Sequence, residues 1–254
     1  MKRVSYPFRK TMCACAAGFV LLMLACSNKD SDENNSGDKG YVSGVITDTQ
    51  GKPIAGAEVV IDNTMIYNSN LLTNSDAAGK YKVKLNGAFT WSASATFRKN
   101  YNGRNYKFHL QPDNDGGFTS DGAVRNFSWK LTGQRPESST SFYGSWIQLQ
   151  SEIGSDILAE DVDFILTPDG PLVDGSTGQA ITKRGGAPQT YSYFKLMDIP
   201  LGRYKVKARH QGVYLTLKNL INNESGTEIT LNFEPEIVLT GLVCDNCAVL
   251  EYKS

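Results

Sequence analysis

His109 and His210 are the chain's two histidines, so any nucleophile–base pair would have to recruit one of them. His109 stands between Phe108 and Leu110, where a strand-face role is the default. His210 precedes Gln211-Gly212 at an expected turn and reads as solvated. Neither has a suitably spaced carboxylate, and no H-x-x-E zinc pattern, G-x-S-x-G elbow, phosphate loop or dinucleotide glycine motif occurs. Neighbouring acids such as Glu160/Asp161 would serve glycoside hydrolysis only if two carboxyl groups faced each other across a cleft. Asp113-Asn114-Asp115-Gly116-Gly117, with Asp121 following, gathers oxygen ligands but lacks the acids of a calcium loop. It reads as a polar turn. No catalytic residue, metal site or cofactor is expected.

Two other groups bear on binding and redox chemistry. Tyr101, Arg104, Tyr106 and Phe118 crowd one long expected loop, 98–122, among asparagines. Aromatic faces beside amide and guanidinium donors suit a sugar ring, although alternating aromatics in a β protein also serve as core. Cys244 and Cys247 flank Asp245-Asn246 between two apolar runs, which predicts a hairpin tip. They could close a small disulfide in an oxidising compartment. Free thiols, a redox pair and half a zinc site are the other readings of this spacing.

The elements that would position these groups are strands. Val42/Gly44/Ile46, Ala57/Val59/Ile61, Tyr81/Val83/Leu85, Trp91/Ala93/Ala95/Phe97 and Phe127/Trp129/Leu131 alternate at period two. After Gln134–Ser141, which reads as a linker, the same pattern returns at Val162/Phe164/Leu166, Tyr204/Val206/Ala208, Val213/Leu215/Leu217, Ile229/Leu231/Phe233 and Ile237–Val243. Gly79–Lys84 and Gly202–Lys207 echo one another, each a glycine followed by an aromatic-led strand. The expectation is all-β: two tandem Greek-key β-sandwiches over 41–132 and 142–254, joined by 133–141.

The first forty residues read as an address. Lys2, Arg3, Arg9 and Lys10 precede an apolar run, Met12–Ala25, too short to cross a bilayer. Met23-Leu24-Ala25-Cys26 resembles a bacterial lipoprotein cleavage site, with Met23 and Leu24 departing from its usual residues. The other reading is an ordinary signal with an incidental cysteine. The resemblance implies a signal over 1–25 and diacylglycerol on Cys26; the polar stretch 26–40 is too poor in apolar groups to bury a core and reads as a disordered tether. The acidic, serine-rich start of that tether resembles the export signals of Bacteroidetes surface lipoproteins, which implies the outer membrane with the body facing outward. Losing the four basic residues of 1–25 leaves 22 of the 26 Lys and Arg against all 26 Asp and Glu, a net of −4. That balance argues against nucleic acid as a partner.

Gly44-Val45-Ile46-Thr47-Asp48, Gly51-Lys52-Pro53-Ile54-Ala55-Gly56-Ala57-Glu58-Val59 and Asp76-Ala77-Ala78-Gly79-Lys80-Tyr81 resemble the carboxypeptidase-regulatory-like domain over about 41–131. The second half resembles such prealbumin-like sandwiches more weakly, through Phe194–Tyr204. The resemblance implies a domain without catalytic residues, in an accessory or binding role within an outer-membrane assembly. Glycan capture beside an uptake transporter is the specific expectation, and a protein–protein adaptor the alternative.

Overall fold

The computed structural model describes residues 37–239 and 242–254. The expected signal, Cys26 and most of the expected tether lie outside the described residues. The rest forms two all-β domains. The first holds β1 (Tyr41–Thr47), β2 (Glu58–Asn63), β3 (Asn70–Asn74), β4 (Lys80–Lys84), β5 (Trp91–Tyr101), β6 (Arg104–Pro112), β7 (Ala123–Val124) and β8 (Phe127–Trp129). They pair in the order β3-β2-β5-β6-β8-β1-β4, with β7 beside β1. β6 gives residues 104–109 to β5 and 110–112 to β8. The sheet therefore passes from one layer to the other along β6, until β3 and β4 touch. Alternation fills the space between the layers: Val42, Ile46, Ala57, Val59 and Ile61 are completely buried.

The three sequence motifs of this domain meet in space. Asp48 Oδ1 accepts from the backbone N–H groups of Gln50 and Lys52, and Asp76 Oδ1 accepts from those of Ala78 and Lys80. Each carboxylate closes a turn on its own backbone. The N–H of Ile46 donates to Gly79 O, and that of Ile54 to Ile46 O. Gly79 has φ +71° and lies against Pro53, so a side chain there would be strained and crowded at once. Gly44 matters for a different reason. Its Cα lies against the Arg125 carbonyl, leaving no room for a Cβ.

The second domain holds β9 (Ser145–Ser151), β10 (Asp163–Pro168), β11 (Ile181–Lys183), β12 (Lys195–Ile199), β13 (Tyr204–His210), β14 (Val213–Asn219), β15 (Ser225–Gly226), β16 (Ile229–Leu231), β17 (Glu234–Leu239) and β18 (Leu242–Lys253). Its path is β11-β10-β13-β14-β18-β9-β12. Taken in chain order, β9 to β14 and β18 occupy the places of β1 to β6 and β8. Even the parallel pair recurs, β1 with β8 and β9 with β18. The two domains thus share one topology. The sequence echo does not mark it: Gly79–Lys84 leads into β4, whereas Gly202–Lys207 leads into β13, the counterpart of β5. Two glycine turns feeding amphipathic strands look alike wherever they stand.

The segment 98–122 is mostly strand rather than loop, because β5 and β6 form a long hairpin turning at Asn102-Gly103 (φ +47° and +77°). Its end meets the second domain. Tyr101 Oη donates to Pro171 O (2.7 Å) and accepts from the Arg203 N–H (3.1 Å), and Tyr106 Oη donates to Phe233 O (2.7 Å). Arg104 pairs with Glu234 at 2.9 Å. Thr49 Oγ1 reaches Asp174 (2.8 Å), and Asn246 Nδ2 donates to Lys107 O (2.7 Å).

Candidate ligand-binding cleft

Tyr101, Arg104, Tyr106 and Phe118 do not share an open surface. Tyr106 is 1% exposed, with its hydroxyl pushed up to about 12 chiefly by burial. Phe118 is buried beneath the Arg125 guanidinium, 5.0 Å from the ring centre. It sits at the Trp91 end of β5, while Tyr101 and Arg104 sit at the junction end. Three of the four hold the domains together, and the fourth is core. An aromatic ring on an inward strand position is buried whatever its polar neighbours suggest.

The junction does form a cleft elsewhere, of about 210 Å³. β6 supplies Lys107, Phe108 and His109; the connecting segment supplies Arg135 and Thr140–Gly144; the second domain supplies Trp146, Tyr191, Met197, Asp245 and Asn246. The connecting segment is folded back on itself, with the N–H of Arg135 bonded to Ser141 O and that of Tyr143 to Gly133 O. Asp198 fastens its ends by accepting from the N–H groups of Gly133 (2.9 Å) and Gly144 (3.2 Å). On the second domain, β9 and β18 run side by side so that Trp146 lies beside Cys247. The ammonium of Lys195 stands over both Trp146 (5.2 Å) and Tyr191 (4.2 Å).

Two residues that line this cleft carry a buried polar atom, Tyr143 Oη and Asn246 Oδ1, without a partner among the described residues. Such groups cost free energy unless something bonds them. The Tyr143 hydroxyl is pushed up to about 12, first by burial and then by Glu137, so it stays a neutral donor. The Arg135 guanidinium donates to His109 Nδ1 at 3.2 Å and pairs with Glu137. Burial first, then the charges of Arg135 and Lys107, hold His109 below its usual range. It is therefore a neutral imidazole with Nδ1 as acceptor. The cleft combines hydrogen-bonding groups of both kinds with aromatic walls.

The remaining candidates lie apart. Asp113 accepts from both the N–H and the side-chain amide of Asn126, Asn114 from the N–H of Gly116, and Asp121 from Thr119, so the acidic loop bonds itself. Glu160 and Asp161 share one short turn, Ala159–Asp161. His210 ends β13 beside Asp163, which pairs with Arg184 and Arg209.

Cys244 and Cys247 join at their sulfurs with Cα atoms 6.1 Å apart. The setting is a strand, not a hairpin tip. β17 ends at Leu239 and β18 begins at Leu242, so both cysteines and the residues between them lie within β18. Three extended steps would span about 10 Å. Asn246 at φ +52° bends the strand and shortens that span, a conformation asparagine tolerates well.

No protein-family model and no curated protein matches the chain. Solved structures are similar to it only distantly. The Bacillus anthracis TIE protein is similar at 10% identity and TM-score 0.30, over 84% of this chain and 32% of that one, so the chain spans about a third of its length. A B repeat unit of the collagen binding surface protein of Staphylococcus aureus is similar at 9% and 0.23, over 84% and 97%. A DUF3823 family protein from Bacteroides uniformis is similar at 10% and 0.24, over 76% and 99%.

Proposed function

We propose that this chain is a noncatalytic, lipid-anchored protein of the outer membrane that captures a glycan end in the cleft between its domains. The observation that carries the reading is one cleft that sets the aromatic walls Trp146 and Tyr191 beside the polar side chains of Arg135, Tyr143 and Asn246. A sugar ring complements such a lining: its hydroxyls donate and accept, and its apolar face suits an aromatic wall. Size narrows the ligand. Pockets for drug-sized molecules run to roughly 300–1,000 Å³, so a cleft of about 210 Å³ takes a single ring or a chain terminus. An uptake transporter in the same membrane is the partner this role calls for. A glycan-array screen of the chain tests the reading, followed by Trp146→Ala. Binding of one sugar class that falls at least tenfold in the variant supports it, and an array with no hits overturns it.

One observation favours the adaptor reading instead. β3 is the outer strand of its sheet path and carries Leu72, 68% exposed. Such an edge accepts a strand from another protein. Cross-linking in intact cells from a photoreactive group at residue 72, alongside a blank glycan array, would decide for the adaptor.

A further inference from the structure

The register of the first domain fixes two opposite ends. β5 runs from Trp91 to Tyr101, about 33 Å at strand rise. Tyr101, Arg104 and Thr49 lie at the end that holds the second domain. At the other end the backbone N–H of Thr64 bonds Thr90 O, Trp91 bridges to Phe118, and the N–H of Gly40 bonds Ser120 O. So the chain arriving from Cys26 and the connection between β2 and β3 share the end farthest from the second domain.

That connection carries Met65, Ile66 and Tyr67 in succession, exposed by 68%, 45% and 100%. Lone exposed apolar side chains are ordinary, but three in a row at the tip of a turn are not. The tip is built. Asn63 is 3% exposed, and its Oδ1 accepts from the N–H groups of both Met65 and Ile66 (2.9 and 3.1 Å). Thr64 clamps the turn to Thr90 through side chain and backbone. A polar anchor thus holds three apolar residues outward.

We propose that Met65, Ile66 and Tyr67 enter the lipid surface to which Cys26 is attached, standing the first domain on the membrane and the second away from it. This rests on the lipid-anchor reading above. The fourteen residues from Cys26 to Gly40 reach at most about 50 Å when extended, so this end of the body stays within range of the bilayer. A tyrosine flanked by aliphatic side chains suits the headgroup boundary, where a ring and its hydroxyl find both of their preferred surroundings. Acyl chains alone tether without orienting. The tip supplies the second contact, which sets the direction of the junction cleft.

The full chain, acylated and reconstituted into phosphatidylethanolamine–phosphatidylglycerol vesicles, carries a nitroxide at Ile66→Cys or at Ile153→Cys. Ile153 is fully exposed and lies in the second domain. Spin relaxation by membrane-dissolved oxygen should exceed that by a water-soluble nickel chelate several-fold at 66, with the reverse at 153. Water-like relaxation at both sites on an acylated chain overturns the proposal and leaves the anchor standing. Immobilisation at 66 that needs added envelope protein overturns it in favour of a protein partner. Intact mass reads acylation separately, and an unmodified mature chain removes the anchor and the proposal together.

Discussion

Deleting one hydroxyl at the junction separates a structural role for the 101–106 aromatics from a binding role. Tyr106→Phe keeps the ring and removes the donor to Phe233 O, a 2.7 Å bond from a residue 1% exposed. A neutral hydrogen bond nets about 1 kcal/mol, and a buried group left unbonded costs about 1–3 kcal/mol. The loss should therefore be about 1–3 kcal/mol. Tyr101→Phe removes a donated and an accepted bond at a wetter position and should cost about 1 kcal/mol. The two rings lie 6.4 Å apart and share the interface, so the double variant need not equal the two losses together. Urea unfolding followed by tryptophan fluorescence is the assay. With a slope of roughly 2 kcal/mol per molar, the Tyr106→Phe midpoint should fall by about 0.5–1.5 M. Circular dichroism followed alongside should part from fluorescence as the domains uncouple. A midpoint within about 0.1 M of wild type, combined with lost glycan binding, would refute the reasoning and return these side chains to a binding surface.

Other expectations follow from the same contacts. Cys244→Ser opens a four-residue ring, for which loop-closure entropy gives about 2 kcal/mol, and without reductant the parent should take up no alkylating reagent at either thiol. His109 is held below its usual range in the folded chain, so the unfolded chain takes up the proton first. Its contribution is intact above about pH 6.5 and declines as pH falls through the folded value, a slope that His109→Gln should flatten in denaturant titrations across pH 4–7. Gly44→Ala would press a methyl group into the Arg125 carbonyl and should cost about 1–3 kcal/mol or more, read as a lowered melting temperature.

What could be seen from sequence was local. Period-two alternation placed Val42, Ile46, Ala57, Val59 and Ile61 inward, and the Asp48 and Asp76 turns announced themselves by residue type. Val213 shows the limit: it alternates with Leu215 and Leu217, yet it opens β14 at a tight turn and is 67% exposed. The duplication of topology lies in strand pairing, which residue patterns do not carry, and the echo of Gly79–Lys84 in Gly202–Lys207 falls on unequal strands. The cleft escaped because its parts are scattered from Lys107 to Asn246. One signal was present, Phe142, Tyr143 and Trp146 crowded just after a linker, where two domains must meet. The bend at Asn246 was hidden because asparagine beside aspartate signals a turn far more often than a kink within a strand.

The central claim is that the junction cleft holds a sugar and leaves it unchanged. Titration calorimetry of the best array hit into wild type and Trp146→Ala, with the sugar then recovered and weighed by mass spectrometry, tests both halves at once. The account predicts one site per chain, at least tenfold weaker binding in the variant, and recovered sugar of unaltered mass. Equal affinity in the two proteins, or a cleaved sugar, would contradict it.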